Sequence, residues 1–341
     1  MIERDFFLSE GDRKALAMLD DFLPDKIFDM HMHPGAAEFL PHSFTPGSCF
    51  LQAGEKITVE EFLRDQGQLY RKAKKIRANL IMVPDPVMLE PGSTARMDSV
   101  RFLAEQLDKH PDYVGEIPVL AADTKAEIES YLIHPRIKGF KCYHWTADAE
   151  VTWQCSIDQY LPEAAWQVAH ERGLCITLHM VRDLALADAG NMAYICAMAQ
   201  KYPNARLILA HAGRGFAAWT VMENVEKLKP YPNVYFDFSA VCEAAPFFEI
   251  IRAVGHKRVF WGSDYPVSML RGKCVSIGAE FLWLYKEQLE GCASKTNFSA
   301  YLIGVENLLA VRSACRMLNL DRQAVEDIFY NNAMELFGLE D

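Results

Sequence analysis

Five histidine and aspartate side chains hold positions in this sequence from which they could bind a metal ion. His31 and His33 stand two residues apart in Asp29-Met30-His31-Met32-His33-Pro34, at the end of a short apolar run. On a β-strand, residues i and i+2 project to the same side, so these two imidazoles could share one ion. His179, His211 and Asp264 each close a later apolar run. Imidazole nitrogens and a carboxylate oxygen suit Zn2+ and, less selectively, other transition ions. A lone histidine at a strand end is more often a hydrogen-bonding residue than a ligand. Five such groups, all at strand ends, are hard to attribute to packing.

Cations and aromatics follow several of these runs. Arg182 follows His179, Arg214 follows His211 and Arg271 lies beyond Asp264. The planar fork of arginine matches a carboxylate, so an anionic substrate is expected, with Arg214 as its first candidate contact. The competing reading is that each arginine pairs with a protein acid such as Asp183 or Glu223. Tyr143, His144 and Trp145 follow another run, and Phe39, His42 and Phe44 fall in a long early loop. These residues either line a pocket or simply pack. Lys141 lies within its own run, where it would either touch an ion or pair with a carboxylate.

The elements that must position these groups are short and regularly spaced. Apolar β-prone runs are read at Lys26–His33, Asn79–Val83, Glu116–Ala121, Ile137–Tyr143, Leu174–Met180, Arg206–His211, Val234–Phe238 and Arg258–Asp264. Most are continuous rather than alternating, as parallel strands covered on both faces require. Helical periodicity fills most of the intervals, as at Met97–Lys109, Leu161–Arg172, Asn191–Lys201 and Phe247–Val254. Eight such repeats predict an α/β fold closed into a (β/α)8 barrel, whose C-terminal strand ends form one catalytic face. A helix over Ala15–Phe22 is expected before the first strand. The loop Pro34–Gly54, punctuated by proline and glycine, is expected to act as a lid or binding element. The chain beyond strand 8 reads as mostly helical, including Asn307–Leu318 and Arg322–Phe337. With no linker, repeat or low-complexity tract, a single domain over 1–341 is expected.

Composition narrows the function class. Thirty-five Lys and Arg against 46 Asp and Glu give a net charge of −11, which disfavours nucleic-acid binding. The nine cysteines form no Cys-x-x-Cys pair, so neither a zinc knuckle nor a disulfide framework is expected. The charged N-terminus lacks a signal-peptide core, and no apolar stretch approaches the ~18–20 residues of a membrane span. A cytoplasmic, soluble protein acting on a small molecule is the expectation.

Three segments carry a family resemblance. Asp29-Met30-His31-Met32-His33-Pro34, Leu209-Ala210-His211-Ala212-Gly213 and Phe260-Trp261-Gly262-Ser263-Asp264-Tyr265-Pro266 resemble the amidohydrolase superfamily of metal-dependent TIM-barrel enzymes. The nearest match is the amidohydrolase-related (amidohydrolase 2) branch, which includes nonoxidative decarboxylases. The segment Ile328–Gly338 resembles that branch's terminal helix. The resemblance implies a divalent cation, with Zn2+ favoured, on His31, His33, His179 and Asp264. It also implies that Asp264 acts as general base and that His211 orients the nucleophile or polarises a substrate oxygen. Lys141 matches the carboxylated lysine of binuclear members, so two ions stay open while one is preferred. The implied activity is hydrolysis of a C–N or C–O bond in a small polar substrate. The alternative is a decarboxylase, and a noncatalytic metal-binding barrel is the third reading. The resemblance also admits a homo-oligomer.

Overall fold

The computed structural model describes residues 6–278, 280–292 and 299–341. Met1–Asp5, the start of the charged N-terminus, lies outside the described residues. Eight parallel strands form one sheet: β1 (Lys26–Met32), β2 (Lys75–Ile81), β3 (Val114–Pro118), β4 (Ile137–Cys142), β5 (Cys175–Leu178), β6 (Arg206–Leu209), β7 (Val234–Asp237) and β8 (Val259–Phe260). They neighbour one another in sequence order. Apart from some strand-edge residues they are buried on both faces, which is why they read as apolar runs rather than alternating ones. Helices cross between successive strands, and local chemistry fixes their ends. Thr58 with Glu61 and Thr124 with Glu127 form capping boxes at the starts of Val59–Asp65 and Lys125–Ser130. Gly173, at φ 63°, ends Glu163–Arg172 in the left-handed conformation that glycine adopts without strain.

Asp29 ties the two ends of the sheet together. It accepts hydrogen bonds from Tyr70 Oη (2.8 Å), Ser263 N (2.8 Å) and His31 N (3.2 Å). Main-chain bonds from Met30 N to Trp261 O and from Asp264 N to His31 O bring the chain beyond β8 alongside β1. Burial pushes the Asp29 carboxyl up to about 6, against the pull of these donors. The α/β barrel is therefore nearly closed, with helices outside.

One expectation is corrected. The last strand was expected to reach Asp264, but its ladder stops at Phe260. The following residues turn to bond β1, and Asp264 itself has φ 59°. Beyond β8 the chain is helical over Ile303–Met317 and from Arg322 to Phe337, as expected, but an antiparallel hairpin that was not foreseen, β9 (Gly272–Ile277) with β10 (Glu280–Tyr285), precedes these helices. Phe281-Leu282-Trp283-Leu284-Tyr285 is aromatic and β-prone, and Gly272 (φ 152°) packs where a Cβ would collide with Leu284 O. Arg271, beyond Asp264, has its charge taken up inside the protein. Its Nη1 donates to the buried Asp12 at 2.7 Å and to Ala300 O, and its Nη2 donates to Phe7 O.

The helices Glu10–Leu19 and Ile303–Met317 pack together beside this pair. Removing one partner of a buried ion pair strands the other charge, so Asp12→Ala is expected to cost about 3–5 kcal/mol. Urea denaturation should show a lower midpoint, while metal content stays unchanged.

Candidate active site

The local fold presents two histidine lone pairs to one point. The Nδ1–H of His31 donates to Asp237 Oδ2 at 2.9 Å, and that of His33 donates to Ile81 O at 2.9 Å. Each ring is thereby set to keep its hydrogen on Nδ1 and to turn Nε2, as an acceptor, toward the same space. These two Nε2 atoms lie 3.1 Å apart. Asp264 Oδ1 completes the group at 3.2 Å from His33 Nε2 and 3.6 Å from His31 Nε2. Lone pairs this close repel unless a cation lies between them. Two nitrogens bound tetrahedrally at ~2.0–2.1 Å would stand roughly 3.3 Å apart. The donor set fits a divalent ion in both spacing and chemistry.

Burial sets the charges here. It pushes the His31 imidazolium down to about 3, aided by the neighbouring Lys141. Burial also opposes ionisation of Asp264, but its contacts with His211, His33 and His31 hold its carboxyl down to about 2. The site thus sets an ionised carboxylate beside the buried His31 ring, a combination that suits a cation.

His211 lies two residues beyond β6, in a left-handed stretch where His211, Ala212 and Gly213 all have φ near 55–66°. Such a run is costly for residues other than glycine, and strain of this kind collects at functional sites. Its Nδ1–H is received by Ser239 Oγ at 2.9 Å, while Nε2 accepts from His179 Nδ1 at 3.2 Å. His179 immediately follows β5 and stands beside this group, but outside the tight set of His31, His33 and Asp264. Lys141, on β4, is buried and sends Nζ to His31 Nε2 at 3.1 Å. Burial lowers its tendency to hold a proton, and among the described residues it makes no ion pair with a carboxylate.

Asp237 and Ser239 were not singled out from the sequence. Besides the His31 ring, Asp237 accepts from the backbone N of His211 and of Ser239, both at 3.1 Å, and from Ser239 Oγ. Burial works against its charge, yet His31 and His211 hold the carboxyl well below its usual range. A signal was present: Asp237 closes the seventh apolar run, just as the histidines close theirs.

Above these groups opens a cavity of about 1010 Å3. Phe50, from the long loop after β1, stacks on His33 at 6.0 Å, and Phe216 stacks on His211 at 5.6 Å. The β9–β10 hairpin sets Phe281 and Trp283 against Phe216. Tyr143 and Arg214 line the cavity. Arg214 lies over the Phe281 ring at 5.0 Å and donates to Arg182 O, with no carboxylate in ion-pair range among the described residues. Arg182 is positioned otherwise. Its guanidinium pairs with Asp188 at 2.8 Å and bonds Gln154 O, away from the cavity lining. Arg271 borders the cavity, but its charge is the one matched by Asp12. Four other histidines bond outside the cavity: His110 with Glu60, His134 with Asp108, His256 with Asp327 and His170 with Asn204 N.

Among the described residues no helix is long and apolar enough to cross a membrane. A family model described as Amidohydrolase matches residues 28–339. The chain is 26% identical over 188 residues to an L-fucono-1,5-lactonase of Burkholderia ambifaria, a match covering 50% of this chain and 60% of that relative. An amidohydrolase from Burkholderia multivorans solved with bound zinc superposes with a TM-score of 0.58 at 14% identity, over 92% of this chain and 99% of that one. The 5-carboxyvanillate decarboxylase of Sphingomonas paucimobilis gives 0.58 at 14% identity, over 93% and 100%. A dihydroxybenzoic acid decarboxylase from Polaromonas sp. JS666, solved with manganese and 2-nitroresorcinol, gives 0.57 at 15%, over 92% and 97%. At these identities the structural likenesses bear on the fold.

If Asp237 orients a metal-binding histidine, Asp237→Asn should weaken metal affinity by about 10–100-fold with little change in the far-UV spectrum. Chelator competition followed by metal analysis measures this. Unchanged affinity would remove Asp237 from that role.

Proposed function

We propose that this chain, which belongs to the amidohydrolase family, is a metal-dependent hydrolase that opens a C–O or C–N bond in a small carboxylate-bearing molecule. One observation carries the reading. Asp264 turns Oδ1 toward the two histidine lone pairs, while Oδ2 accepts no hydrogen bond among the described residues. One oxygen can thus face a cation as the other takes a proton. The sequence likeness to a lactonase, although it spans 60% of that protein's length, points the same way.

His31, His33 and Asp264, with His179 nearby, would hold one divalent ion, for which zinc is our choice given the nitrogen-rich set. Bound there, the ion supplies Lewis acidity toward a carbonyl oxygen and a water molecule. Asp264 then accepts the proton of the attacking water through Oδ2 and returns it to the leaving group. His211, fixed by Ser239 and with its ring beside His179, orients the substrate oxygen. Arg214 receives the substrate's carboxylate against the aromatic wall of Phe216 and Phe281, where exclusion of water strengthens the charge-assisted bond. Tyr143 bounds the same space.

Decarboxylation is the second reading, favoured by the combination of an aromatic wall and an unpaired arginine beside the metal residues. Metal-loaded protein offered panels of lactones, amides and aromatic acids separates the two. Acid release without CO2 supports hydrolysis, and CO2 from an aromatic acid replaces it with decarboxylation. Asp264→Asn should abolish turnover, while Arg214→Ala should lower kcat/KM by roughly 10- to 150-fold, the worth of about 1.5–3 kcal/mol for a hydrogen bond to a charged group. An unchanged kcat/KM in Arg214→Ala for every acid turned over would remove the carboxylate contact from the proposal.

A further inference from the structure

The cavity holds a second polar anchor on the side of the barrel opposite Arg214. His42, in the loop after β1, lines the cavity with its side chain about half exposed. Its Nδ1–H donates to Asp85 Oδ1 at 2.8 Å. Asp85, four residues beyond the end of β2, is fully buried and is fixed by three further donors: Ser43 N at 3.0 Å, Ser43 Oγ at 3.1 Å and Val87 N at 3.2 Å. The carboxylate therefore cannot turn away, and it fixes which ring nitrogen of His42 carries the hydrogen. Nε2 is left with a free lone pair and no partner among the described residues.

Position gives the pair its meaning. In an eight-stranded barrel joined in sequence order, β2 and β6 lie across from one another. Asp85 follows β2 and Arg214 follows β6, with both His42 and Arg214 bordering the same cavity as His33 and Asp264. Ser43, Thr45 and Ser48, near His42 in the chain, line this cavity together with Phe50, while Phe281 lies under Arg214 and packs on Phe216.

We infer that the substrate spans the cavity, with its carboxylate on Arg214 and a hydroxyl at its far end donating to His42 Nε2. This rests on the proposed carboxylate contact of Arg214 and extends it. It makes His42 a specificity-determining residue that contacts substrate, with Asp85 positioning its ring.

Binding can be measured without turnover. Metal-loaded protein is titrated calorimetrically with ω-hydroxy acids from 4-hydroxybutanoate to 8-hydroxyoctanoate, each against the straight-chain carboxylate of equal carbon number. His42→Phe keeps a ring and leaves the Ser43–Asp85 bonds in place. At one chain length, the ratio of hydroxy-acid to plain-acid affinity should be about 2- to 12-fold higher in the wild type than in His42→Phe, the worth of one neutral hydrogen bond. Arg214→Ala should weaken both members of each pair together. An equal ratio in the wild type and His42→Phe at every length overturns the inference, as does the absence of binding by any probe. If Arg214→Ala still weakens both acids while the ratio is equal, the His42 contact fails and the carboxylate contact stands. If Arg214→Ala changes neither affinity, the carboxylate reading itself has failed.

Discussion

The site depends on two imidazoles being held with their Nε2 atoms 3.1 Å apart. Free histidines would turn to avoid that approach. Asp237 and the Ile81 carbonyl prevent it by engaging the opposite edge of each ring, so the proton on each stays at Nδ1. A cation between the Nε2 atoms would be held by both, and burial would strengthen that attraction by excluding water. Asp264 adds the negative charge that this group otherwise lacks.

This constraint reaches through the barrel. Asp237 binds the His31 ring, the His211 backbone and Ser239, so a single carboxylate at the end of β7 ties together β1, the chain just beyond β6 and its own loop. Asp29 has a comparable part on the first strand, where it bonds the chain beyond β8 and brings Asp264 beside His31 and His33. Barrel closure and the assembly of the metal group are therefore one event: without the turn after Phe260, Asp264 would not reach the two histidines. The left-handed backbone at His211 and Asp264 fits this picture, since both residues are held in costly conformations by hydrogen bonds around the site.

The upper part of the cavity is assembled from loops. The strand ends supply the polar floor, while the loop after β1 and the β9–β10 hairpin supply Phe50, Phe281 and Trp283 as walls. Such a division lets a fixed reactive group serve different molecules as its loops vary. Family membership can therefore describe the reactive centre while leaving the substrate to be read from residues such as Arg214.

The sequence alone determined the eight-run α/β pattern and the histidines and aspartate at the run ends. Both signals are local: a parallel strand covered on both faces must be apolar along its length, and its C-terminal end marks the catalytic face. Tertiary structure decided the rest. Asp237 is ordinary at the end of its run until it is found 206 residues from His31 in sequence and 2.9 Å away in space. Arg182, Arg214 and Arg271 look alike in the chain. They were separated by partners that only folding supplies, because Asp12, which takes the Arg271 charge, lies 259 residues away. The hairpin after β8 was missed because its aromatic run acquires a face only when Phe216 and the cavity lie beneath it. Charge pairing and aromatic packing are properties of distance in space, and spacing along the chain does not encode them.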